Sequence, residues 1–166
     1  MEALGIDIGN VILSADTDVI EKTNPMVSNE YLATPPNEDC FEVIANLKTR
    51  FAERIYLVSK VGSIMQMKTR KWLDYHKFFE ITGVDPYHIA FCLERKDKTR
   101  IAKQLNLTHF IDDGVEVLSY LNTVPYKFAF RPKKSELIRY QKIQHPIINQ
   151  ITIVYSWKEI ENILLP

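Results

Sequence analysis

The chain has 166 residues, 46% of them hydrophobic and 25% charged, with a formal net charge of zero. That length supports one good core and is short for two, so residues 1–166 are read as one domain. Charge neutrality removes any global pull toward nucleic acid or an anionic membrane surface, leaving nucleic-acid binding unsupported. No apolar run reaches the ~20 residues that a membrane-spanning helix needs.

The N-terminus runs directly into a short apolar stretch without a basic region or cleavage signature, so no signal peptide is expected. Cys40 and Cys92 lie far apart and lack metal-type spacing, which with the preceding point favours a cytoplasmic protein of a reducing compartment.

Six short apolar runs read as buried strands: Leu4 to Asp7, Ile55 to Ser59, His88 to Leu93, His109 to Ile111, Tyr126 to Phe130 and Ile151 to Tyr155. Segments of helical period lie between them: Asp39 to Phe51, Ser63 to His76, Asp97 to Leu105, Val115 to Leu121 and Trp157 to Leu164. Strands alternating with helices predict an α/β/α sandwich around a mainly parallel sheet, with Asp7 on a central strand and the Asp112 strand beside it. Residues 14–38 break the rhythm with Asp16, Asp18, Asn24, Pro25, Asn29, Pro35, Pro36 and Asn37, and read as a long loop or flap over the site. The interval from Gly62 to Tyr87 reads as one helix and a connection. Arg131 to Gln144 reads as a loop entering an exposed helix.

Open α/β sheets bind ligands beyond the carboxyl ends of their strands, so polar residues there carry the functional signal. They are Asp7, Ser59, the group from Glu94 to Lys98, and Asp112 with Asp113. Singly each is an ordinary cap, turn or surface residue. Together they put three carboxylates, a hydroxyl and a lysine on one rim, where mutual repulsion calls for a divalent cation. The run from Tyr126 to Lys134 is aromatic and basic, a pattern that in a strand signals core packing more often than anion binding. His76, His88, His109 and His145 have no metal-ligand spacing, and Trp72 and Trp157 occupy apolar helical positions expected in the core.

These residues resemble the haloacid dehalogenase superfamily. Asp7-Ile8-Gly9-Asn10-Val11 resembles its first motif, D-x-D-x-T/V; Ser59 resembles the second, Lys98 the third-motif lysine, and Thr108 to Asp113 the fourth. The resemblance covers Leu4 to about Phe130. It implies a Mg²⁺-dependent phosphohydrolase acting on a small phosphorylated substrate, with Asp7, Ser59 and Lys98 as catalytic residues. Asp7 is the implied nucleophile; Asn10, Ser59, Lys60 and Lys98 would hold substrate. Mg²⁺ would be held by Asp7, the Gly9 carbonyl and Asp112 or Asp113, with Asp112 favoured. Lys96 is the alternative to Lys98, and Glu116 an alternative outer partner.

The family's phosphatases usually carry a second aspartate two residues after the nucleophile, as proton donor and base. Gly9 stands there. Three readings follow: a phosphatase in which Asp16, Asp18 or His109 supplies the proton; another reaction through the same aspartate, such as carbon–halogen or carbon–phosphorus cleavage; or a catalytically weak ligand- or partner-binding module. No segment is long enough for a full cap domain, which implies a capless or minimally capped member, with a neighbouring subunit of a homo-oligomer as a lid or with large substrates.

Overall fold

The computed structural model describes residues 1–14 and 29–166. Six strands form one sheet: β1 (Leu4–Ile6), β2 (Ile55–Lys60), β3 (Ile89–Cys92), β4 (His109–Asp112), β5 (Tyr126–Phe130) and β6 (Ile151–Val154). Their order is β3-β2-β1-β4-β5-β6, and every pairing is parallel. Among the described residues there are seven α-helices: α1 (Cys40–Phe51), α2 (Ser63–Tyr75), α3 (Phe78–Thr82), α4 (Lys98–Gln104), α5 (Val115–Tyr120), α6 (Lys134–Lys142) and α7 (Trp157–Leu164).

The apolar runs lack polar alternation because both faces of the sheet are covered. On one face Leu4, Ile6, Leu57, Ile111, Phe128 and Phe130 pack against side chains of α1, α2, α3 and α7, including Val43, Leu47, Trp72, Phe78, Trp157 and Ile160. On the other, Val58, Phe110 and Ala129 meet Ile101 and Ala102 of α4, Val115 and Leu118 of α5 and Tyr140 of α6. The result is the expected three-layer α/β/α sandwich, of Rossmann-like strand order.

The differences from the expected elements have local causes. The 62–87 interval holds two helices, because Lys77 adopts a left-handed conformation (φ 55°) that ends one and starts the other. The helix expected from Asp97 opens instead as a 3₁₀ turn, Arg95–Asp97, before α4. Residues 15–28 of the expected flap lie outside the described residues. Its remainder is built into the fold: a 3₁₀ turn spans Glu30–Ala33, and Leu13 forms an antiparallel bridge with Pro36.

Gly5 marks the tightest point of the sheet. A Cβ there would stand 2.6 Å from the Phe110 ring and 2.7 Å from Leu107. Gly5→Ala therefore overpacks the core beside the candidate site, and is expected to cost about 1–3 kcal/mol in urea unfolding. A loss below a few tenths would mean that the Phe110 ring swings aside freely.

Strand order fixes the position of the site. The chain runs outward from β1 to β3, then returns to the other side of β1 and runs outward again through β4 to β6. The switch point is the crevice between β1 and β4, where ligands bind in such sheets. Asp7 and Asp112 stand on its two sides.

Candidate active site

Asp7 directly follows β1, and its backbone N–H donates to the Ile111 carbonyl at 2.9 Å, which sets it level with Asp112 at the end of β4. Lys98 starts α4 and is almost fully buried. Its ammonium donates to Asp7 Oδ1 at 2.7 Å and to Asp112 Oδ2 at 2.8 Å. Lys96, the alternative, is exposed and pairs with Glu94 at 3.0 Å, away from the carboxylates. The first residue of α4 points into the crevice while the residue two earlier, on the 3₁₀ turn, points to solvent.

Asp112 also accepts from the Gly114 backbone N–H at 2.9 Å, and Asp113 accepts from the Asn10 side-chain amide at 2.9 Å. Asn10 reaches it from a left-handed backbone (φ 61°), which asparagine tolerates. Carboxylate oxygens of Asp7, Asp112 and Asp113 all lie within 4.8 Å of one another.

The electrostatics follow from this crowding. Burial pushes the Asp7 carboxyl up to about 7, against the pull of the Lys98 ammonium, with Asp112 and Asp113 adding to the rise. Burial, then Asp112, also raises Asp113, while its bond from Asn10 opposes the shift. Burial works against the Lys98 charge, but Asp112 and Asp7 together outweigh it and hold the ammonium above the usual lysine range. Three carboxylates facing one lysine leave surplus negative charge in a poorly hydrated place, a setting that favours a cation.

The donor set, three carboxylates, suits a hard divalent ion. Asn10 supplies an independent indication, since its Oδ1 is buried and has no hydrogen-bond partner. Left so, a buried acceptor costs about 1–3 kcal/mol; a metal-bound water or a substrate hydroxyl beside Asp113 would satisfy it.

The trio opens into a cavity of about 670 Å³ whose lining includes Gly9, Asn10, Ser59, Lys60 and Lys98. Asp7, Gly9, Asn10, Ser59, Lys60, Lys98, Asp112 and Asp113 thus border one cavity, whereas the alternatives Lys96 and His109 do not. Glu116 also borders it but is committed elsewhere, to Arg95 at 2.8 Å and to the Tyr120 hydroxyl at 2.8 Å.

His109 does not reach the site. It pairs in register with Leu4, at the opposite end of β4 from Asp112, about 10 Å away at the usual rise per strand residue. Its ring stacks on Tyr126 at 4.6 Å and meets Phe51 edge-on at 5.0 Å, so its role is in packing. Of the other expected proton donors, Asp16 and Asp18 lie outside the described residues.

Burial, aided by Arg50, lowers the His109 pKa from 6.5 to about 4, with Glu2 pulling the other way. The folded state therefore takes up this proton at lower pH than the unfolded chain. Its contribution is complete above pH 6.5 and is lost as pH falls toward 4, to a total of about 3 kcal/mol. Denaturation midpoints measured across that window are expected to fall less steeply with acid in His109→Phe than in the parent; parallel curves would refute the assignment.

Sequence reasoning missed how the loop after Asp7 is held. The Asn37 side-chain amide donates to the carbonyls of Asn10, Val11 and Leu13 at 3.0, 2.9 and 3.2 Å. Its Oδ1 accepts from Arg131 at 3.1 Å, and the Trp157 indole N–H donates to the Val11 carbonyl at 3.0 Å. Asn37 stood out only as one turn former among many, whereas a buried amide needs partners on both ends. Asn37→Ala is expected to cost about 1–3 kcal/mol, since it strands buried carbonyls; chemical denaturation measures it.

No protein-family model matches this chain, and no curated protein matches it. Among solved structures, it is similar to the solution NMR structure of a de novo designed Rossmann 3x3 fold protein. The identity is 12% and the TM-score 0.45, over 96% of this chain and 90% of that one. The fold assignment rests on the strand order, not on that likeness. Among the described residues no helix is long and apolar enough to cross a membrane.

Proposed function

We propose that this protein is a Mg²⁺-dependent phosphohydrolase that transfers a phosphoryl group from a small phosphate monoester to Asp7 and then to water. The observation that carries this reading is the convergence of Asp7, Lys98, Asp112 and Asp113 at the switch point, at the mouth of one cavity. The four-motif resemblance to the haloacid dehalogenase superfamily supports it.

An Asp7 carboxylate oxygen attacks phosphorus, the bond from phosphorus to the ester oxygen breaks, and the departing alkoxide takes its proton from solvent water to leave as the alcohol. Water then attacks the aspartyl-phosphate, releasing inorganic phosphate and restoring the carboxylate; two easier steps replace one hard one. Lys98 holds Asp7 in place through its 2.7 Å bond and offsets charge that builds on the phosphoryl oxygens. Ser59, buried at the end of β2 on the cavity wall, hydrogen-bonds a phosphoryl oxygen, and Asn10 and Lys60 hold the substrate nearby. Asp7, Asp112 or Asp113, and the Gly9 carbonyl would hold Mg²⁺, which supplies charge neutralisation at the transferring group.

Phosphate release from p-nitrophenyl phosphate and a panel of phosphorylated metabolites, with Mg²⁺ and with EDTA, tests the reading. Mg²⁺-dependent release supports it; no release from any ester by folded protein defeats it.

One observation favours a second reading, a weak enzyme retained for binding: a side chain at position 9 would meet nothing within 4 Å, so the place of a second acid is empty space. A beryllium fluoride adduct on Asp7 together with negligible turnover would select it.

A further inference from the structure

Asn10 ties the loop that follows Asp7 to the carboxylates, since its side-chain amide donates to Asp113 Oδ2 at 2.9 Å. It does so from a left-handed backbone, φ 61°. Asparagine tolerates that conformation without preferring it, so a residue free of other restraints would relax to negative φ and carry its amide away from Asp113. The turn therefore depends on contacts from elsewhere in the chain.

Asn37 supplies them. It is buried, its backbone N–H donates to the Ile12 carbonyl at 2.8 Å, and its side-chain amide donates to the carbonyls of Asn10, Val11 and Leu13. The Asn10 carbonyl belongs to the peptide plane that sets ψ at Asn10, and the Val11 carbonyl to the next plane, so one amide pins the turn where it leaves Asn10. Arg131 decides which end of that amide faces the loop, because its Nη1 donates to Asn37 Oδ1 at 3.1 Å. The Arg131 guanidinium is itself anchored through Nε to the Tyr155 carbonyl at 2.7 Å.

We propose that Asn37 is a positioning residue for the divalent-cation site, acting through Asn10, whose amide it presents to Asp113, with Arg131 as the residue that orients it. The inference rests on the cation-binding part of the phosphohydrolase reading. Hydrogen bonds that orient a metal's carboxylate ligands are typically worth 10–100-fold in metal affinity. Asn37 stands one hydrogen bond from Asn10, and Asn10 one from Asp113, so its influence on the cation passes through Asn10 and vanishes without that side chain.

Binding of Mn²⁺, which shares the oxygen preference of Mg²⁺, tests this on the full chain without turnover, read from the electron paramagnetic resonance signal of the free ion. The proteins compared are the parent, Asn37→Ala, Asn10→Gly and the double variant, at a temperature where circular dichroism shows each to be folded. Glycine removes the Asn10 amide yet adopts positive φ freely. Asn10→Gly is expected to weaken Mn²⁺ binding about tenfold or more, and Asn37→Ala at least about threefold. The double variant is expected to bind within about twofold of Asn10→Gly alone. A residue that merely holds the loop together would lower the melting temperature without this dependence on Asn10. Should Asn37→Ala not fold, Arg131→Met takes its place, since it keeps Asn37 but frees its amide to turn, and the same dependence on Asn10 is expected. Unchanged affinity in the substituted protein, equal weakening with and without the Asn10 amide, or no Mn²⁺ binding by the parent overturns the proposal. A parent that binds Mn²⁺ with the expected dependence yet releases phosphate from no ester sinks the hydrolase reading and leaves this assignment standing.

Discussion

Asp7→Asn is expected to lower Mg²⁺-dependent phosphate release at least about 10³-fold while leaving the melting temperature equal to or above that of the parent. The amide matches the carboxylate in shape but is a poor nucleophile, so the first chemical step is lost. Stability moves the other way, because the folded protein disfavours this charge: burial holds the Asp7 carboxyl up at about 7. Lys98 keeps its 2.8 Å bond to Asp112, so no buried ammonium is stranded. Function and stability thus separate at one atom pair, as at sites where charge is concentrated for chemistry. Phosphate release and thermal melting measured on one preparation decide the matter. A variant with unchanged turnover would remove Asp7 from the mechanism, and a drop of many degrees would make its role structural.

Gly9→Asp is expected to raise the rate on alkyl phosphate esters by roughly 10²–10⁴-fold, the usual worth of a placed general acid. Space favours the change, since nothing lies within 4 Å of a Cβ at position 9, and so does the backbone, Gly83 being the glycine with positive φ among the described residues. The gain should depend on the leaving group. An alkoxide needs a proton to depart, whereas an aryl ester releases a stable phenolate and should gain far less. The ratio of alkyl to aryl rates is therefore the measurement. An unchanged ratio would mean that proton delivery from position 9 is not what limits the protein.

The sheet was readable from sequence because a strand covered on both faces carries an unbroken apolar run, and six such runs occur at the observed places. The carboxylates and Lys98 were readable because strand ends at a switch point are where polar residues interrupt those runs. Lys98 over Lys96 followed from the helix start. What sequence did not reveal depends on distant partners. Asn37 and Trp157 meet the Asp7 loop, and Arg131 meets Asn37, only through the tertiary fold, and no local pattern distinguishes Asn37 from its neighbouring turn formers. His109 adjoins the fourth motif in sequence, but three residues along a strand carry it to the wrong end of the sheet.

The clamp on the Asp7 loop also bears on the order of events during folding. Asp7 precedes its level neighbour Asp112, and the loop after it precedes its partner Trp157, by more than a hundred residues. Such distant closures form slowly, because the entropy of a long loop is spent before any contact repays it. A chain still emerging from a ribosome therefore carries Asp7 without Asp112 or the bond from Trp157. Phosphate chemistry, where present, is a late-appearing property that reports completion of the whole fold.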